Sequence, residues 1–239
     1  MDFLLVILSI LPGLVIAFYM IWRDRHDSEP IIYLLLCFLF GMLSTYPAIK
    51  MELFGVRDLG ILKDGNLFMT FTFAFAVIAF SEEYVKFIFL RYFIYPRKDF
   101  DEPMDGIVYA VMIGMGFATL ENILYVVMRQ DTLEASIRVG FLRMFTAVPA
   151  HATFAVFMGY FIGLAKFKPE GSTRYLIIGL ASAIIAHGVY DFLLFSGMAK
   201  LAMLLGFVGT GFSVSLILIG RHLKKNAQLA EGQNSSSKI

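Results

Sequence analysis

The sequence predicts an all-α fold: a polytopic membrane helix bundle of about seven transmembrane helices, N-terminus outside and C-terminus inside. Three observations predict it. Of 239 residues, 59% are hydrophobic and only 16% charged, with mean hydropathy +0.75, too apolar for a soluble domain of this length. Apolar runs long enough to cross a bilayer recur along the whole chain. The breaks between them collect charge and proline, as in RDRHDSEP after residue 22, YPRKDFDEP from Tyr95 and FKPEGSTR from Phe167.

The first run, Phe3 to Trp22, is about 20 residues and spans ~30 Å of hydrocarbon. Met1 and Asp2 supply no basic leader, and Arg23 and Arg25 follow the run instead of preceding it. It therefore reads as a retained helix rather than a cleaved signal. Further runs lie at approximately 31–49, 67–95, 104–128, 139–165, 175–195 and 198–220. The stretch 50–66, KMELFGVRDLGILKDGN, mixes apolar and charged residues and reads equally as an interfacial amphipathic helix or a plain loop. Gly159 and Gly163, and later Gly206, Gly209 and Gly211, read as helix-packing faces. Residues 1–221 form a single transmembrane domain, and the polar tail 222–239 is expected to be irregular and cytoplasmic.

Lysine and arginine set the orientation. Arg23, Arg25, Arg91, Arg97, Lys98, Lys166, Lys168, Arg174 and the tail outnumber Lys50, Arg57, Lys63, Arg129, Arg138, Arg143 and Lys200 on the other side. A net charge of +1 offers nothing to nucleic acid, and the expected surroundings are a lipid bilayer. A lone cysteine, Cys37, excludes an internal disulfide or a cysteine metal cluster.

Against this apolar background six ionisable side chains stand out: Glu82, Glu83, Glu121, His151, His187 and Asp191. A charged group near the bilayer centre costs roughly 3 kcal/mol on the lenient scale. Six unpaired ones would exceed the ~5–15 kcal/mol net stability of a domain, so they must satisfy one another. Glu82 and Glu83 sit four and three residues before Lys86, so one lysine neighbours both acids on a helix. His187 and Asp191 are four apart and share a face, the carboxylate able to orient the ring. Asn122 and Tyr190 are candidate supporting residues. Counting 1.5 Å per residue from the run ends puts the six in the central-to-outer half of the membrane, around a cavity opening outward.

Carboxylates and imidazoles together support hydrolysis. There is no His-Glu-x-x-His, no Gly-x-Ser-x-Gly (Gly211-Phe212-Ser213 continues into Val214) and no Gly-x-Gly-Asp to partner Tyr190-Asp191. What remains is a glutamate-centred site or a Glu/His metal site. In the first, Glu82 or Glu83 activates water, His151 and His187 stabilise the oxyanion or protonate the leaving amine, and Glu121 and Asp191 orient them. In the second, Glu121, His151 and His187 hold a divalent metal, zinc by preference. A proton-coupled transporter, or a non-catalytic membrane immunity or adaptor protein, is the alternative from another class.

The ordered motifs resemble the PrsW family of bacterial intramembrane proteases. They are Asp27-Ser28-Glu29-Pro30, Glu82-Glu83-x-x-Lys86, Asp105-Gly106-Ile107-Val108-Tyr109, Phe117-Ala118-Thr119-Leu120-Glu121-Asn122, His151 with Gly159, and His187-Gly188-x-Tyr190-Asp191-Phe192. The pattern is more distantly similar to CAAX prenyl endopeptidases. Glu121 stands where that wider group has histidine, and His187-x-x-x-Asp191 ends in aspartate. The resemblance implies a first, site-1 cut in a single-pass membrane substrate, an anti-sigma factor, near its extracytoplasmic side, releasing a stress-responsive sigma factor.

Overall fold

In the computed structural model, residues 3–236 are described except 26, 64, 65, 129 and 199, with backbone alone at 202 and 222–236. Nine α-helices and three π-helical stretches make up the described chain. They are α1 (Phe3–Arg23), α2 (Ile31–Arg57), α3 (Leu67–Thr72), α4 (Phe80–Phe89), α5 (Asp105–Ile123), α6 (Leu133–Phe145), α7 (Ala147–Phe167), α8 (Ser172–Phe195) and α9 (Leu201–Ser236). Six stretches are long and apolar enough to cross a membrane: α1, α2, α5 with its π turn, α6–α7 together, α8, and the apolar part of α9. The remaining run expected to cross, 67–95, is α3 and α4 joined by π-helical Phe73–Ala79 and extended by π-helical Leu90–Ile94. Its adjacent acid pair, its lysine and its two π stretches set it apart from the other six.

α5 is apolar all round because it is surrounded. It packs on α1, α2 and α7, and its residues 105–119 are buried without a break. The approach to its neighbours is set by glycine. A Cβ on Gly41 of α2 would lie 2.0 Å from Ile113 O, and one on Gly106 would lie 2.5 Å from Gly159 O. These backbones touch, so only glycine fits. The reading of Gly159 and Gly163 as packing faces holds: both meet Gly106. Gly206 and Gly209 of α9 face open space instead, and only Gly211 meets a neighbour, Thr153. Large apolar side chains such as Phe18, Leu35, Tyr46 and Ile177 are exposed, as lipid-facing residues must be.

Three boundaries depart from the sequence reading. α2 runs on to Arg57, so much of the 50–66 connection is helix, contiguous with the span. The run expected at 139–165 begins at Leu133, where Thr132 accepts from Ala135 N, and is broken at Thr146 (φ −120°, ψ −75°). Pro149 explains the break: it lacks the N–H that would bond back across the joint. Last, the α9 backbone stays helical to Ser236, past residue 222, through Lys, Ala, Gln, Leu and Glu, all good helix formers.

Candidate active site

The π turns bracket the chemistry. α4 follows the first of them and buries Ser81, Glu82, Glu83 and Lys86. The third, Leu124–Met128, begins two residues after Asn122. Such turns reset the register of a helix face and are frequent at functional sites.

Lys86 is the hub. Its Nζ lies 2.8 Å from Glu83 Oε1, 3.2 Å from Glu82 Oε2 and 3.3 Å from His151 Nδ1, and 3.8 Å over the centre of the Phe117 ring. The ammonium donates, so His151 Nδ1 accepts, and its Nε2–H is left to donate to Glu121 Oε2 at 2.9 Å. α8 packs against α4 and the first π stretch. That brings His187 Nδ1 to 2.9 Å from Glu83 Oε1. The two imidazoles stand perpendicular with centroids 5.2 Å apart, and Phe154 stacks on His187 at 4.7 Å. Asp191 Oδ2 is 3.4 Å from His187 Nε2, too poorly aimed to bond, so among the described residues this enclosed oxygen has no hydrogen-bond partner.

All six residues singled out from sequence therefore converge. Lys86 bridges the acids as its spacing implied, Asn122 braces the site, and Tyr190 lines the cavity. Sequence reasoning missed Arg143. Its Nη2 donates to Glu121 Oε2 and its Nε to Asn122 Oδ1, each at 2.7 Å, and its guanidinium covers Tyr125. The signal was present: an arginine flanked by Leu142 and Met144 in an apolar run needs a partner as much as Lys86 does.

A cavity of about 310 Å³ opens beside this cluster. Glu82, Glu121, His151, His187, Asp191 and Arg143 line it, with Glu52 and Lys63 further out; Glu83 lies behind Glu82, outside the lining. The second halves of α2 and α5 and the end of α8 surround it, so it opens at one end of the bundle.

Glu82, Glu83, His151 and His187 each present a ligand atom within 4.8 Å of the others. Two carboxylates and two imidazoles are a zinc-type donor set, and the Lys86 ammonium among three of them marks a place built to hold positive charge. The residues thus fit a divalent metal once Lys86 swings aside. Of the ligand set read from sequence, His151 and His187 fall in this group. Glu121 does not, because Arg143 holds the oxygen that faces His151.

Comparison with known proteins agrees. The model of a family described as "PrsW family intramembrane metalloprotease" matches residues 29–219. The chain is 34% identical over 192 residues to Protease PrsW of Geobacillus kaustophilus, covering 80% of each. It is 34% identical over 196 residues to Protease PrsW of Clostridioides difficile, covering 80% of this chain and 79% of that one. Against Protease PrsW of Bacillus subtilis it is 32% identical over 193 residues, 80% and 83% of the two chains. No solved structure matches it. The chain therefore belongs to the PrsW family of intramembrane metalloproteases, and is a multi-pass peptidase of the bacterial membrane.

Proposed function

We propose that the chain makes the first cut in a single-pass anti-sigma factor, near the outer face of the bilayer, and so starts the release of a stress-responsive sigma factor. One observation carries this reading: acids and imidazoles from four helices meet at a single cavity. That cavity opens at the end of the bundle which the lysine and arginine bias assigns to the outside. A substrate helix has its own backbone hydrogen-bonded, so a scissile bond is reached most easily where the helix ends, at the interface.

Glu82 is the base in this scheme, because it lines the cavity whereas Glu83 is tied to Lys86 and His187 behind it. Glu82 takes a proton from water, the water oxygen bonds to the scissile carbonyl carbon, and the C–N bond breaks as that proton passes to the leaving amine. His151 and His187 answer the charge that builds on the carbonyl oxygen. Glu121 holds the His151 ring from its Nε2 side, and Asp191 lies 3.4 Å from Nε2 of His187. Glu83, His151 and His187 would hold a divalent metal, zinc by donor type, which when bound supplies Lewis-acid polarisation and a more acidic water.

The test is co-expression with a tagged single-pass anti-sigma factor, cleavage being read by immunoblot. Glu82→Gln, Glu83→Gln, Glu121→Gln, His151→Ala and His187→Ala should each accumulate in the membrane and cut poorly or not at all. Wild-type cleavage by all five would end the proposal.

A further inference from the structure

At the other end of the bundle lies a second group of acids that the hydrolytic site does not use. Glu29 precedes α2, and Asp101, Glu102 and Asp105 lead into α5. Asp105 and Glu121 are 16 residues apart on one helix, about 24 Å along its axis, so the two groups are independent. Asp105 Oδ2 is fixed by the backbone N–H groups of Asp101 and Glu102 at 2.8 and 2.7 Å. Tyr109 donates its hydroxyl to Glu29 Oε2. Glu29 then meets Asp105, and Asp27 meets Glu102, carboxyl to carboxyl. Each such contact requires a shared proton or a shared cation.

Of the nearby basic side chains, Lys166 faces Asp105 and Asp101 but makes no ion pair with either. Lys166 gives its Nζ to the carbonyls of Tyr95 and Arg97, Arg25 lies over Trp22, and Arg97 bonds Phe93 O. Among the described residues no Lys or Arg ion-pairs with Asp24, Glu29, Asp101 or Asp105. An independent observation points to a ligand. Asp24 is only 5% exposed, faces Asp105, Glu102 and Asp27, and has its Oδ2 fully enclosed with no hydrogen-bond partner among the described residues.

We propose that Asp24, Glu29, Asp101 and Asp105 form a second metal site, for a hard divalent cation of the Mg²⁺/Ca²⁺ class, that clasps the α1–α2 connection to the segment leading into α5. Ligand oxygens of Glu29, Asp101 and Asp105 all lie within 4.8 Å of one another. Opposite oxygens around Ca²⁺ are separated by about 4.6–5.2 Å, and all-oxygen sets select Mg²⁺ and Ca²⁺ over zinc. Burial, then the charges of Asp105, Glu102 and Asp27, push Asp24 up to about 8. Burial likewise pushes Glu29 up to about 7 and Glu102 up to about 8. A cation would relieve all three at once. It would also pin the Asp27-to-Pro30 and Asp105-to-Tyr109 motifs to each other, a role for two sequence signatures that take no part in hydrolysis.

The experiment uses the full chain, purified in detergent and freed of loosely bound cations. Millimolar Mg²⁺ or Ca²⁺ should raise its thermal midpoint by several degrees, separate titrations showing which ion acts at lower concentration. Tb³⁺, a Ca²⁺ probe, should show emission sensitised through Tyr109 and Trp22 that Ca²⁺ displaces. Both responses should vanish in Asp24→Asn and in Asp101→Asn, with zinc content unchanged. Asp101 is exposed, so its variant keeps the test sound if the buried Asp24→Asn does not fold. Identical responses in the variants, or none in the wild type, overturn the proposal. So does a midpoint that rises on acidification but not on adding cation, since the carboxyls would then be sharing protons.

Discussion

Arg143 offers the sharpest test of how the site is held. Replacing it with Met removes the guanidinium and keeps most of the volume. Glu121 is then left with His151 alone, 2.9 Å away, and Asn122 Oδ1 loses its donor. Breaking a buried ion pair costs about 3–5 kcal/mol. Both side chains are 14% exposed, which favours the lower end, about 3 kcal/mol. If that cost falls on the geometry needed for reaction, cleavage drops about 150-fold. Arg143→Lys keeps the charge but has no fork to reach both Glu121 and Asn122. It forfeits one charge-assisted hydrogen bond, about 1.5–3 kcal/mol, and should fall between the two. The assay is initial cleavage rate of a tagged substrate, normalised to folded enzyme and paired with the thermal midpoint in detergent. Wild-type rate and midpoint in Arg143→Met would refute the idea that Arg143 positions Glu121. So would a Lys variant as damaged as the Met one.

Three further outcomes follow from the same contacts. Lys86→Met leaves Glu82 and Glu83 side by side without their ammonium, at a cost of about 3–5 kcal/mol, so the midpoint and cleavage should both fall; an unchanged midpoint would contradict the hub. Gly41→Ala puts a Cβ 2.0 Å from Ile113 O and should destabilise by about 1–3 kcal/mol in denaturation assays, while Gly206→Ala, facing open space, should not. Elemental analysis of purified variants should find bound metal lost in Glu83→Gln and His187→Ala but retained in Glu121→Gln; loss in Glu121→Gln alone would restore Glu121 as a ligand.

The membrane-spanning runs and the local pairs were legible in the sequence because both depend on near-neighbour spacing. An apolar stretch of bilayer length announces itself, and Glu82, Glu83 and Lys86 meet because a helix places residues three and four apart on one face. What joins one helix to another was not legible. Glu83 and His187 are 104 residues apart, and their contact depends on how α4 and α8 cross. Arg143 was misread as an outer-loop charge because the run expected at 139–165 hid the break at Thr146, which turns α6 so that Arg143 reaches Glu121. The Thr132 cap and Pro149 were the local signs of that break.

The charge balance of the site argues for a bound cation independently of its shape. Glu82, Glu83, Glu121 and Asp191 are four acids in one enclosure, and Lys86 and Arg143 answer two of them. Glu52 and Lys63, further along the cavity wall, cancel. Two negative charges are left over where each unpaired charge costs roughly 3 kcal/mol. Either two protons or one divalent cation restores neutrality. The alternatives are linked, because a metal that takes the place of protons must expel them. Zinc added to metal-free enzyme in weak buffer near neutral pH should therefore release about two protons per metal bound, measured with an indicator dye. Stoichiometric binding without proton release would mean the surplus charge was never there, and the electrostatic case for the metal would fall with it.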